Sequence, residues 1–169
     1  MSTSLKAFAY LVFATLVLGI GGIVYSIRSR PSVTSLVGTP VPRLDVATRE
    51  TPLRLDTLTG SPLVVVIYSP RCDHCHRQLD AFARSTMPVG ARLLLVSIAD
   101  LPLDSLADIW PALRASSAVT WAQASWPAVK SQFHIRAVPT VLVYDRNRRL
   151  AKGFVGEVRV DSVYALATK

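Results

Sequence analysis

Two cysteines, Cys72 and Cys75, are all that the 169 residues contain. That is too few for a disulfide-stapled scaffold or a four-cysteine zinc site, which leaves redox catalysis or a mixed-ligand site. Acidic residues are also few, 11 against 19 Lys and Arg, for a formal charge of +8. The basic residues are nevertheless scattered, without the stripe and interleaved aromatics of a nucleic-acid surface, so no nucleic-acid partner is expected. Internal repeats and low-complexity tracts are lacking. The chain has room for one globular domain with a sizeable core and needs no second.

One long apolar run is present. Residues 7–27 carry no charge, and about 20 helical residues cross a hydrocarbon core of about 30 Å. A convincing small-x-small cleavage site is missing, so the run reads as an uncleaved single-pass anchor over residues 1–27. Gly19, Gly21 and Gly22 lack GxxxG spacing and are assigned no role. Arg28 and Arg30 after the run, against Lys6 before it, favour a cytoplasmic domain by the positive-inside rule. A tethered dithiol has most to do where disulfides persist, and on that ground the domain is placed outside the cytoplasmic membrane, in the periplasm. Residues 28–42, with Pro31, Gly38, Pro40 and Pro42, read as an extended tether. The globular domain is expected over 43–169.

Within it, residues 44–46 and 53–55 alternate as an edge pair, 59–62 form a turn, and 63–68 and 93–98 are near-continuous apolar runs typical of buried parallel strands. Between those runs Cys75, Leu79 and Phe82 recur at helical spacing, with Arg77, Gln78, Asp80 and Arg84 facing away. Leu106 to Leu113 make a helix that Pro111 should bend or split, with Asp104 as candidate cap. A short strand over 119–121 follows. Ser125 caps a helix carrying Trp126, Val129 and Phe133. A strand over 141–144, a hairpin through 145–155 and a closing helix from Val160 complete the order.

Cys72-Asp73-His74-Cys75 stands where the first buried strand meets a helix. Unpaired N–H groups and the positive end of the dipole favour a thiolate at Cys72, which is expected to titrate below the free value of about 8.5 and to act as the nucleophile. Cys75, one turn later, is placed to resolve the mixed disulfide. Arg71 is either a cation favouring that thiolate or a solvated surface arginine.

The order of strand, CxxC at a helix start, strand, helix, Val138-Pro139-Thr140 before a strand, hairpin and helix resembles the thioredoxin-like superfamily. The intervening segment 104–121 is similar to the insertion of its TlpA/ResA/CcmG branch of membrane-anchored, extracytoplasmic thiol:disulfide oxidoreductases. The resemblance implies an α/β fold with a central mixed sheet flanked by helices, preceded by one N-terminal transmembrane helix. It makes Cys72 and Cys75 a redox-active disulfide pair and Pro139 a cis-proline facing them, with Val138 and Thr140 docking substrate. Its partners would be protein disulfide substrates and a membrane electron donor or acceptor, without a cofactor or bound metal. His74 resembles the residue at that place in the oxidising DsbA type, where it stabilises the reduced thiolate, whereas Asp73 opposes a second negative charge. Two departures stand out. Arg71 replaces the usual tryptophan, and Val66 replaces the buried acid that would take the proton of Cys75.

Two other readings use the same residues. Cys72 to His76 also spells C-x-x-C-H, the attachment motif of c-type haem. The preceding buried strand and parallel sheet oppose a haem pocket, and Met87 is the one interior methionine that could serve as an axial ligand. A copper or zinc module could use Cys72, Cys75, His74 or His76, but no fourth ligand is evident. His76 reads instead as an exposed polar residue of the first turn, and His134 as a surface or packed residue.

Overall fold

The uncharged segment 7–27 lies within one backbone helix, α1 (Thr3–Arg28). The computed structural model describes residues 3–28, 32–58 and 62–167, in two units, Met1–Pro31 and Ser32–Lys169. In the first unit Phe8, Leu11, Phe13, Leu16, Leu18 and Ile20 are exposed. Among the described residues no helix is long and apolar enough to cross a membrane. The span expected over 7–27 lies partly outside the described side chains, which are those of Phe8 and residues 10–23. The turn expected over 59–62 falls outside the described residues except for Pro62.

In the second unit, alternating and apolar segments become the strands β1 (Asp45–Thr48), β2 (Leu53–Arg54) and β3 (Leu63–Tyr68). Then come the helix α2 (Asp73–Ala83), β4 (Arg92–Ser97), α3 (Leu103–Asp108) and α4 (Pro111–Arg114). The chain closes with β5 (Val119–Gln123), α5 (Trp126–Phe133), β6 (Thr140–Tyr144), β7 (Leu150–Val155) and α6 (Val160–Ala167). One sheet runs in the order β2-β1-β5-β4-β3-β6-β7. Strands β3, β4 and β5 are parallel, and β6 lies antiparallel on the other side of β3. Every residue of β3 is buried, as a strand covered on both faces requires.

The period of two in β3 divides the core. Val64, Val66 and Tyr68 pack with Cys75, Leu79 and Phe82 of α2 and with residues of α3, α4 and α6. Leu63, Val65 and Ile67 pack with Val129 and Phe133 of α5. Pro111 starts α4 and separates it from α3, because it has no N–H to continue a helix and fits a first turn. Ser125 caps α5, its side chain accepting from the Ala128 N–H. Asp104 is not the cap of α3. Pro102 holds that position, and Asp104 lies in the first turn, paired with Arg49.

Part of the segment expected to be an extended tether is packed instead. Residues 32–42 pack on the β6–β7 hairpin: Val33 and Val41 are buried, Gly38 N–H donates to Leu150 O (2.8 Å) and Leu150 N–H to Thr39 O (2.8 Å). Val33 occupies the space that a Cβ on Gly153 would need. The missing side chain admits Val33, and the two buried residues Val33 and Val41 dock a segment that is otherwise exposed or half-buried.

Candidate active site

Strand β3 ends at Tyr68, and four residues later Cys72 is the N-cap of α2, with extended backbone (φ −114°, ψ 114°). Its sulfur stands where a Ser or Asp oxygen usually caps: the Cys75 N–H donates to Cys72 Sγ at 3.4 Å. The N–H groups of Cys75 and His76 also reach the Cys72 carbonyl (2.9 and 3.0 Å). Both cysteines are free thiols, Cys72 half-exposed and Cys75 buried. Cys75 Sγ accepts from the Ser69 N–H at 3.5 Å. Burial pushes the Cys75 thiol up to about 12. Its hydrogen bond to Cys72 adds to the rise, as do the charges of Cys72 and Glu157, and the Ser69 amide partly offsets it. One sulfur is thus open to a partner while the other is shielded and protonated.

The Val138–Pro139 peptide bond is cis. The half-buried Val138 turns its carbonyl to the site, where Cys72 Sγ donates to it at 3.8 Å. Pro139 is buried, and its carbonyl accepts from the Gly156 N–H (2.8 Å). Thr140, expected to dock substrate, has its side chain turned inward. It is fully buried, its hydroxyl donates to Ala137 O (2.7 Å), and its backbone lies in register between Ile67 and Val155.

Arg71 is exposed beside Cys72, its backbone N–H donating to Ser69 Oγ (3.3 Å). His74 is exposed and lies against Glu157, with Nδ1 at 2.5 Å from Oε1. Arg77 donates to the same oxygen through Nε (3.0 Å) and a terminal nitrogen (2.8 Å). These interactions hold the Glu157 carboxyl below the usual range, Arg77 contributing more than His74.

Gln78 does not face solvent. It is buried, donating through Nε2 to Val158 O (3.1 Å) and accepting from Val158 N–H (2.7 Å). Its place three residues after Cys75 falls on the buried stripe, so spacing could have revealed it where polarity hid it. Glu157 had no such signal, being 82 residues beyond Cys75.

At Val66 the strand offers no acid. The nearby polar group is the Tyr68 hydroxyl, buried and without a hydrogen-bond partner among the described residues. Burial raises its pKa. Ser97 approaches and partly offsets the rise, without hydrogen-bond geometry, and the Cys75 charge adds to it.

His76 is half-buried rather than exposed. Its Nε2 lies 2.8 Å from Pro70 O and its ring packs 5.1 Å from that of Trp110. A C-x-x-C-H haem site needs both sulfurs and the imidazole on one open face, and here Cys75 and His76 are turned inward, so the residues do not fit that group. Among the described residues no group of three or more His, Cys, Asp or Glu is gathered to hold a metal ion. His134 ends α5 in the left-handed conformation (φ 51°).

A mixed sheet of this order, with a CxxC opening the helix after its central strand and a cis-proline loop facing the first cysteine, is a thioredoxin-like fold. No protein-family model and no curated protein matches the sequence. Solved structures do match. StoA from Bacillus subtilis is 14% identical over 77% of this chain and 100% of its own, with a TM-score of 0.57. A thio-disulfide isomerase from Thermus thermophilus is 17% identical over 77% and 96%, with a TM-score of 0.59. A DsbF homologue from Corynebacterium diphtheriae is 14% identical over 75% and 83%, with a TM-score of 0.61.

Proposed function

We propose that the protein is a membrane-anchored, extracytoplasmic thiol:disulfide oxidoreductase that reduces or isomerises disulfides of envelope proteins. The observation that carries this reading is the asymmetry of the pair. Cys72 is half-exposed at the helix start within 3.8 Å of the Val138 carbonyl, and Cys75 is buried behind it. The Cys72 thiolate attacks one sulfur of a substrate disulfide, and the other sulfur leaves as a thiolate. Cys75 then gives up its proton and attacks Cys72 Sγ, closing the intramolecular disulfide and releasing the second substrate sulfur. Two electrons pass to the substrate, and a membrane electron donor restores the dithiol. The Val138 backbone would pair with an extended substrate segment. The shared fold of the thio-disulfide isomerase from Thermus thermophilus supports the same class of reaction.

Anchoring is supported by the sequence alone, through the absence of charge in residues 7–27. The test uses the full chain in membranes. Cys75→Ser should accumulate mixed disulfides with envelope proteins and Cys72→Ser none. Trapping on Cys75 instead, or recovery of the protein in the soluble fraction, would overturn the corresponding half of the reading.

A further inference from the structure

We infer that Glu157 is a positioning residue that makes the dithiol less oxidising, by holding the positive charge of Arg77 to itself and away from Cys72. The inference rests on the dithiol reading above and concerns its direction.

The loop carrying Glu157 is fixed on both sides. Gly156 donates to Pro139 O (2.8 Å), and Val158 is held through both backbone groups by the buried Gln78. Gly156 makes the turn at φ +90°, a conformation that L side chains rarely adopt. Glu157 is therefore set over the first turn of α2, whose Arg77 and His74 it meets. The terminal nitrogen of Arg77 lies 2.8 Å from both Glu157 Oε1 and His74 Nδ1, and Nδ1 lies 2.5 Å from Oε1. Arg77 donates through two nitrogens to the one carboxylate oxygen that the His74 ring also meets.

Cys72 caps the helix that carries Arg77, and Arg77 meets His74, two residues from Cys72; the charge on Cys72 bears on Arg77 after the larger effects of Glu157 and Asp73, so this cation stands near the nucleophile. Reduction takes two electrons and one proton to turn the disulfide into one thiolate and one thiol. A cation that reaches the thiolate favours that product and makes the disulfide more oxidising. Glu157 opposes this by taking the Arg77 donors to its own oxygen. The groups are exposed, so salt weakens the effect.

The experiment equilibrates the full-length protein with glutathione redox buffers and measures the reduced fraction. Glu157→Gln should favour the reduced form by about three- to tenfold, tenfold corresponding to about 30 mV for this two-electron couple. Glu157→Asp should stay within about twofold of wild type. In a His74→Gln/Arg77→Gln background the same Glu157→Gln change should move the equilibrium by less than about twofold, and 1 M salt should shrink the wild-type difference. An unchanged equilibrium in Glu157→Gln, or an equal shift when both partners are absent, overturns the inference while leaving the dithiol reading intact. A wild-type protein that never equilibrates with glutathione overturns both.

Discussion

Cys75 should be almost inert to alkylation at neutral pH, and the structure sets by how much. Its sulfur is buried and its thiol is pushed up to about 12, whereas an ordinary cysteine titrates near 8.5. Each pH unit is a factor of ten in thiolate, so at pH 7.5 Cys75 holds roughly a thousandfold less thiolate than an unperturbed thiol. Burial lowers its reactivity further, because iodoacetamide must wait for an opening. The assay is a pulse of iodoacetamide on the reduced protein, with each cysteine quantified by peptide mass spectrometry and N-acetylcysteine as reference. Cys75 should react at least about a thousandfold more slowly than the reference, and its rate should climb about tenfold per pH unit between pH 8 and 11. Cys72→Ser should leave Cys75 slow, since a serine oxygen can take over the N-cap. Alkylation of Cys75 within tenfold of the reference at pH 7.5 would refute the assignment of Cys75 as the shielded sulfur.

Stability should fall in alkali. Burial raises the pKa of Cys75, Tyr68 and Tyr144 in the folded chain, so above pH 9 to 10 the unfolded chain ionises first and binds fewer protons. Each group then removes about 1.4 kcal/mol per pH unit. Denaturant midpoints should be level from pH 6 to 8 and decline above about 9 to 10, and a level profile to pH 11 would contradict the burial of these groups. Gly153→Ala should destabilise by about 1–3 kcal/mol through overpacking against Val33, and Val33→Ala in the same chain should recover part of that loss. Additive effects in urea unfolding would mean that residues 32–42 are not docked on the hairpin.

Most of the site's skeleton was legible in local patterns. A strand of six apolar residues, a cysteine pair at a helix start, Ser125 before a proline and Pro111 inside a helical pattern each act over a few residues, and the chain folds there as those spacings require. The same spacing sets the two sulfurs on one face a turn apart, and the structure leaves Cys72 at the helix end half-exposed while Cys75, inside the first turn, is buried. Other features depended on contacts between residues far apart in sequence. Gln78 meets Val158, Glu157 meets Arg77 and His74, and Val33 meets Gly153 only because the sheet order brings the β7 end beside α2 and the N-terminal segment onto the hairpin. Thr140 and His76 likewise could be placed on an element but not on a side of it. Spacing tells which face a residue occupies, while the neighbour that covers that face comes from another part of the chain. The partners of the charged groups on α2 were therefore decided by tertiary structure: Glu157 touches Arg77 and His74 only after the sheet has formed.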